Sequence, residues 1–177
     1  IVPYCKDNYI IPNLFSDYNL RTETLLKIYI STERLIFNSY YDTVIELFNN
    51  KYIEENDNFC KNCKLILKDT ISTKTSQETN KLWIEMFLEK NIYDKINKIY
   101  EINQQVIQDN KTNTIMGADD ILPLMIDSLC HSEHKYIYSQ YMFFIKYYNS
   151  ALYRDIFEFL NVKFISIAEY IINYNNI

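Results

Sequence analysis

Glycine and proline are scarce in this chain, which has one Gly and three Pro among 177 residues. The tight turns of all-β sandwiches and barrels depend on these two residue types. Phosphate-binding loops and dinucleotide-binding folds require several glycines. The shortage therefore argues against β architectures, P-loops and dinucleotide folds together, and it favours helices joined by polar loops.

Positive charge is also in short supply. The chain has 18 Lys and Arg against 23 Asp and Glu, which gives a formal net charge of −5. Proteins that bind nucleic acid present a cationic surface to the phosphates. We therefore expect no nucleic acid as a partner, although the 17 tyrosines could in principle stack on bases. We attribute the abundance of Tyr, Ile, Asn and Lys to A/T-rich codons.

The apolar runs are short and interrupted by charge, so none approaches the ~20 residues needed to span a bilayer. Four cysteines in a chain of this length do not imply a disulfide framework. We therefore expect a cytoplasmic domain. The sequence begins with Ile rather than Met, so we expect it to be a piece of a longer protein.

The spacing of apolar residues predicts an all-α protein of about six to eight helices in one bundle. We expect an irregular lead-in over residues 1–20 and a helical domain over 21–177. Thr22 or Thr24 is expected to cap the first helix. Loops are expected at 56–58, 72–79 and 109–117, and residues 65–67 fit a short buried helix or strand. The predicted helices cover about 22–38, 41–49, 82–108, 119–130, 136–148, 151–160 and 162–173.

The first candidate for chemistry is the pair Cys60 and Cys63. With Cys130, His131 and His134 this pair could complete a tetrahedral zinc site, but the spacing matches no common zinc pattern. A zinc or thiol protein stays open as an alternative, and reduced thiols without a metal are the preferred interpretation. The two neighbouring histidines form no recognisable nucleophile arrangement, so we expect neither covalent catalysis nor a cofactor.

The second candidate is the segment from Gly117 to Pro123, which holds the only Gly, two consecutive acids and the last Pro. Gly117 can adopt a positive φ and end the preceding loop. Asp119 or Asp120 can cap the following helix, and Pro123 falls in its first turn or slightly beyond. A loop exit with an acidic cap explains the segment structurally. One cap needs only one acid, however, so the other carboxylate is free to project.

Residues 117–126 read Gly-Ala-Asp-Asp-Ile-Leu-Pro-Leu-Met-Ile, which resembles the signature of the vacuolar protein sorting nine domain family. That signature has a small residue, Ala, Asp, Asp or Glu, any residue, Leu and Pro, followed by an apolar helix. The similarity extends over about residues 25–175. Weaker matches to the family follow in the expected order at 41–45, 95–107, 136–148 and 166–171.

The resemblance implies a layered helical domain packed on a helical bundle, with a functional core at about 80–175. It implies guanine nucleotide exchange on Rab GTPases, chiefly those of early endosomes. Asp119 occupies the position of the family's aspartate finger, which displaces Mg²⁺ and the GDP β-phosphate without covalent chemistry. Asp120 is assigned mainly to capping at the edge of the interface. The expected partner-binding residues near the finger are Asp120, Ile121, Pro123 and Leu124.

The sequence departs from the family where its members carry a Tyr and, three residues later, a Thr that help to bind the GTPase. Aligned from the closing helix, these positions hold Phe159 and Val162. Aligned without a gap from the signature, they hold Leu160 and Lys163. The departure keeps open a non-catalytic helical module that binds a small GTPase or a partner helix. Association with endosomal membranes is expected only through partners or flanking regions.

Overall fold

The computed structural model describes residues 18–69, 75–110, 116–149, 153 and 156–174. These ranges contain seven helices and no strand, which confirms the all-α prediction and the expected number of helices. None of these helices is both long and apolar enough to cross a membrane. In chain order they are α1 (Tyr18–Lys51), α2 (Ile53–Asp69), α3 (Gln77–Leu88), α4 (Ile92–Asp109), α5 (Ala118–His131), α6 (Ile137–Tyr147) and α7 (Ile156–Asn173).

The first two predicted helices are in fact one, because α1 runs without a break through residues 39 and 40. Phe37, Tyr41 and Phe48 are buried at spacings that keep one face of a single helix toward the core. α1 begins at Tyr18, so the predicted cap at Thr22 or Thr24 is wrong. The expected lead-in overlaps α1 at residues 18–20, and its residues 1–17 lie outside the described part of the chain.

The predicted loop at 56–58 is also wrong, because α2 continues through it. Asn56 is buried, and its side-chain amide donates to the Tyr52 carbonyl at 2.7 Å and to the Ser139 hydroxyl at 2.8 Å. The Ser139 N–H donates back to Asn56 Oδ1 at 3.2 Å. This satisfied tertiary contact outweighs the low helix propensity of Asn. Residues 65–67 are part of the same helix.

Further boundaries differ from the sequence prediction. The helix predicted for 82–108 is interrupted at residues 89–91, between α3 and α4. α3 begins at Gln77, inside the predicted loop 72–79, where the Ser76 hydroxyl accepts from the Thr79 N–H at 3.1 Å. α7 passes through residue 161 without a break, so the two helices predicted for 151–160 and 162–173 meet in one element. Most of residues 150–155, and all of 70–74 and 111–115, lie outside the described part of the chain.

α4 lies at the centre of the domain and packs against α3, α5 and α7. Its residues Ile96, Ile99 and Ile102 are fully buried, as are Trp83 of α3 and Phe164 of α7. The Trp83 indole N–H donates to the Ser128 hydroxyl of α5 at 3.1 Å, so the one polar atom of this large side chain is satisfied. α4 therefore fixes the relative positions of the helices on which the candidate site is built.

The most deeply buried basic side chain in the described part of the chain is Lys95, in the first turns of α4. Its Nζ donates to the Tyr41 hydroxyl at 3.0 Å and to the carbonyl oxygens of Met86 and Phe87 at 3.1 and 3.4 Å. The Tyr41 hydroxyl also lies 3.1 Å from the side-chain nitrogen of Gln140. Lys95 therefore satisfies the last carbonyls of α3 and links α3 and α4 to α1 and α6. Burial lowers the pKa of Lys95 to about 7, and the charge of Glu89 opposes this shift.

The stability of the domain is expected to rise with pH above about 7. Between pH 7 and the ordinary Lys pKa the unfolded chain binds a proton that the folded chain has lost. The slope is at most about 1.4 kcal/mol per pH unit. Lys95→Met removes this slope, whereas Lys98→Met, at a partly buried position of the same helix, keeps it. Urea unfolding at several pH values from 7 to about 9.5 measures the effect, and equal slopes for both variants would contradict it.

Candidate functional site

The acidic segment forms the start of α5, with Gly117 as the residue that precedes the helix. Gly117 has φ −83° and ψ 175°, which is ordinary extended backbone. The expected positive φ is therefore wrong. The Gly117 carbonyl accepts from the N–H groups of Asp120 and Ile121 at 3.2 Å each and begins the helical hydrogen bonds. Gly117 therefore begins the helix with backbone angles that any residue can adopt. Its role does not depend on the conformational freedom of glycine.

The two consecutive acids have different environments. Oδ2 of Asp120 accepts from the Gly117 N–H at 2.8 Å, so Asp120 supplies the capping contact. Asp119 is exposed at the second position of the helix, and its carboxylate has no hydrogen bond or ion pair within the described part of the chain. The positive end of the helix dipole stabilises a negative charge at this position. One carboxylate is therefore used by the fold and the other projects into solvent.

Pro123 is the sixth residue of α5, beyond the first turn. At that position an N–H would donate to the carbonyl oxygen four residues earlier, which belongs to Asp119. Because proline has no N–H, the helix loses this bond and Asp119 keeps a backbone acceptor without its usual helical donor. The proline therefore costs the helix one hydrogen bond. The acceptor left without that bond is the carbonyl oxygen of Asp119, which also carries the exposed carboxylate.

The remaining predicted residues of the segment are split between the core and the surface. Pro123 is exposed and Leu124 is half-buried, so both are accessible to a partner. Ile121 is only 8% exposed and belongs to the hydrophobic core. Ile121 thus anchors the start of α5, together with Met125 one turn later, instead of presenting an open surface.

The residues of the two possible alignments on α7 differ in their exposure. Phe159 and Val162 are 49% and 53% exposed, whereas Leu160 is buried. Lys163 is also buried; its Nζ donates to Asn103 Oδ1 of α4 at 2.7 Å and lies 4.9 Å from the centre of the Phe159 ring. The exposed pair is the one that can contact a partner. α5 and α7 pack against each other, so both candidate surfaces belong to neighbouring helices.

The sequence analysis missed a carboxylate that joins α3 to α4. Oδ2 of Asp109, the last residue of α4, accepts from the Ser76 N–H at 3.0 Å and the Thr79 hydroxyl at 2.6 Å. Burial tends to raise the pKa of Asp109, but bonds from Ser76, Thr79 and Gln105 outweigh it and lower the pKa. Asp109 ties the start of α3 to the end of α4. The sequence shows that Ser76 is a residue type suited to cap a helix. Its partner Asp109 is thirty-three positions away, so local spacing does not predict the contact.

The zinc hypothesis requires the cysteines and histidines to lie together, and only some of them do. Cys60, Cys63, Cys130 and His134 line one cavity, whereas Nδ1 of His131 lies 2.9 Å from the Asp127 carbonyl oxygen of its own helix. Over the described ranges, no three His, Cys, Asp or Glu side chains are grouped closely enough to hold a metal. His134 stacks on a phenylalanine ring at 4.1 Å, and burial lowers its pKa to about 4.

The exposed residues of the candidate site are an acid at the start of α5 and an apolar pair on α7, and these two helices pack against each other in an all-helical domain. Comparison with family models identifies the domain: the Vacuolar sorting protein 9 (VPS9) domain matches residues 26–176. The chain belongs to this family, whose domains are of the Rab exchange-factor type and bind small GTPases. Searches of curated proteins and of solved structures found no significant match.

Substitutions at the start of α5 test the two assigned backbone roles. Gly117→Ala is expected to change the free energy of unfolding by less than about 0.5 kcal/mol, because the φ suits any residue and the added Cβ lies 3.6 Å from Asp120 Oδ2. Asp120→Ala is expected to cost about 1 kcal/mol through loss of the cap. Chemical denaturation of both variants measures the difference. A Gly117→Ala variant less stable than Asp120→Ala would contradict it.

Proposed function

We propose that the domain accelerates GDP release from Rab GTPases of early endosomes, with Asp119 as the group that enters the nucleotide site. The observation that carries this proposal is the exposed, unpaired carboxylate at the start of α5, in a chain of the VPS9 domain family. The neighbouring Asp120 is engaged by the Gly117 N–H, so Asp119 is the acid of this pair that remains available to a partner.

The chemistry required of Asp119 is electrostatic. A GTPase holds the GDP β-phosphate through a lysine, backbone N–H groups and Mg²⁺. A carboxylate placed there pairs with the lysine, repels the phosphate and competes with it for the metal. GDP affinity falls because the exchange factor binds the nucleotide-free form more tightly than the GDP-bound form. No covalent bond is made or broken, and the domain itself needs no cofactor for this action.

Rigid support for the carboxylate comes from the buried face of α5. Ile121, Met125 and Leu129 follow Asp119 along this helix and are all in the core. A charged group held on a fixed helix loses little conformational freedom on binding, so more of its interaction energy is available to displace the nucleotide. The hydrogen bond from the Gly117 N–H to the Asp120 carboxylate holds the backbone that precedes Asp119.

An apolar surface beside the finger would receive the mobile switch segments of the GTPase. We assign Pro123 and Leu124 of α5 and Phe159 and Val162 of α7 to this surface, with Asp120 at its edge and Ile121 as its buried base. Phe159 and Val162 are each about half exposed in the free domain. Covering an exposed aromatic or branched side chain contributes on the order of 1 kcal/mol or more to association.

The functional core would then cover about residues 80–175, from within α3 to the end of α7. α1 and α2 would serve as the scaffold, since α2 packs on α5, α6 and α7, and α1 packs on α6. The domain would act in the cytoplasm and reach the endosome through its GTPase or through flanking regions.

A binding module without exchange activity is the second candidate. It is favoured by Phe159 and Val162, which lack the hydroxyl groups of the family's Tyr and Thr. A missing hydroxyl costs about 1 kcal/mol when its partner is left buried and unpaired. In this case the domain would bind a GTP-loaded Rab tightly and the nucleotide-free form weakly. A pull-down with both forms separates this candidate from the exchange factor.

Replacing the finger is expected to abolish most of the activity. Asp119→Asn keeps the shape and removes the charge, and the rate of GDP release should fall by about tenfold or more. Asp120→Asn is the matched control, because it removes the same charge from the adjacent residue and Asn still caps a helix. Release of a fluorescent GDP analogue from a panel of Rab proteins measures both. No acceleration by the wild-type domain on any Rab, or equal losses in the two variants, would refute the assignment.

Changes on α7 test the apolar surface separately from the finger. Phe159→Ala should weaken binding to nucleotide-free Rab by about tenfold, because an exposed aromatic contact is lost. Phe159→Tyr with Val162→Thr restores the family's hydroxyl groups and should raise the exchange rate above that of the wild type. Titration calorimetry measures the affinity of Phe159→Ala, and the GDP-release assay measures the exchange rate of the double variant. If Phe159→Ala binds nucleotide-free Rab with unchanged affinity, Phe159 is not part of the contact surface.

A further inference from the structure

A cavity of about 420 Å³ lies between α2, α5 and the segment that leads into α6, and three cysteines line it. It is at the end of α5 opposite to Asp119, so it takes no part in the proposed GTPase surface. Besides Cys60, Cys63 and Cys130, the lining consists of Lys64, Leu67, Glu133, His134, Lys135 and Ile137.

The three thiols form a series from the surface inward. Cys60 is half-buried, and its Sγ lies 3.7 Å from the Lys135 carbonyl oxygen, within reach of the segment before α6. Cys63 is one helical turn further along α2, so it faces the same side of that helix. Cys63 on α2 and Cys130 on α5 are both buried, and both line this cavity. Each thiol is therefore a neighbour of the next.

We propose that this cavity is a site of thiol–disulfide exchange with a small anionic disulfide, and that exchange ends in a disulfide between Cys63 and Cys130. The Cys60 thiolate attacks the external disulfide, forms a mixed disulfide and releases one thiol. Deprotonated Cys63 then attacks the Cys60 sulfur and releases the second external thiol. Cys130 in turn attacks the Cys63 sulfur and restores the Cys60 thiol. Two protein thiols are oxidised, and one external disulfide is reduced to two thiols.

The charges around the cavity favour an anionic reagent. Lys64 and Lys135 are both exposed at its edge, and Glu133 is the one acid among the described residues that line it. Burial keeps His134 neutral at physiological pH. Opposite charge raises the local concentration of a reagent at a cleft. A disulfide with free carboxylates therefore encounters Cys60 more often than a cationic disulfide does.

The environment of the thiols sets the conditions for the reaction. Burial raises the pKa of Cys60, and the neighbouring Cys63 and Asp57 add to the shift, while Lys64 and Lys135 oppose it. The neighbouring Cys130 and burial also raise the pKa of Cys63, which slows the second step. Since the thiolate is the nucleophile in each step, exchange accelerates as the pH rises. The cavity therefore responds slowly at neutral pH, and its chemistry is best followed at about pH 8.5.

Intact-mass measurement and peptide mapping with glutathione disulfide test the proposal, in the full chain with Cys5→Ser in every variant. The parent protein should lose two thiols, keep no glutathionyl group and give the Cys63–Cys130 linkage. Cys63→Ser should retain one glutathionyl group on Cys60. Cys130→Ser should stop at the Cys60–Cys63 disulfide. Cys60→Ser should react about tenfold more slowly, because entry through the most accessible of the three thiols is lost.

A second comparison tests the charge argument in the same protein. The parent should react faster with glutathione disulfide than with cationic cystamine, and Lys64→Glu with Lys135→Glu should reverse that order. Circular dichroism checks that the variants remain folded. A stable glutathionyl adduct without the Cys63–Cys130 linkage, or a folded parent that does not react while the denatured protein does, would overturn the proposal.

Discussion

The side-chain amine of Lys95 makes the contacts on which the arrangement of the domain depends. It is fully buried in the first turns of α4 and donates to carbonyl oxygens at the end of α3 and to the Tyr41 hydroxyl of α1. Tyr41 in turn meets Gln140 of α6. A buried amine is costly unless its donors are paired, so these four helices are held in the one geometry that pairs them. Close to this junction, Glu33 of α1 accepts from the Ile92 N–H at the start of α4.

The position of α4 connects this polar junction to the candidate site. α4 carries Lys95 near its beginning and Asp109 at its end, where Asp109 binds the start of α3. Between them, its buried isoleucines pack on the helices around it. α5 and α7 both rest on α4, so the acidic helix start and the exposed Phe159 are presented by a supported framework. The proposed surface therefore lies at the edge of a packed core, which suits the proposed electrostatic finger.

Much of the fold could be predicted from the sequence because helical periodicity is a local property. The spacing of Ile92, Ile96 and Ile99 predicts α4, and one Gly and three Pro leave little to interrupt helices. Boundaries were harder to predict. Asn56–Asn58 resembles a loop until Ser139, far away in the chain, satisfies the amide of Asn56. The continuous α1 likewise depends on core contacts of Phe37 and Tyr41 that local propensity does not describe.

The candidate site also has some features that the sequence determines and others that only the structure determines. The sequence by itself determined that two acids stand between the only Gly and the last Pro, and it carried the resemblance to the VPS9 family through that segment. The resemblance also assigned Asp119 to the finger and Asp120 to the cap, and the local hydrogen bond from the Gly117 N–H to Asp120 agrees with the second assignment. Only the tertiary structure decided that Phe159 and Val162 are exposed while Ile121, Leu160 and Lys163 are buried. Exposure depends on which helices cover a side chain, and that covering is set by contacts between residues distant in the sequence.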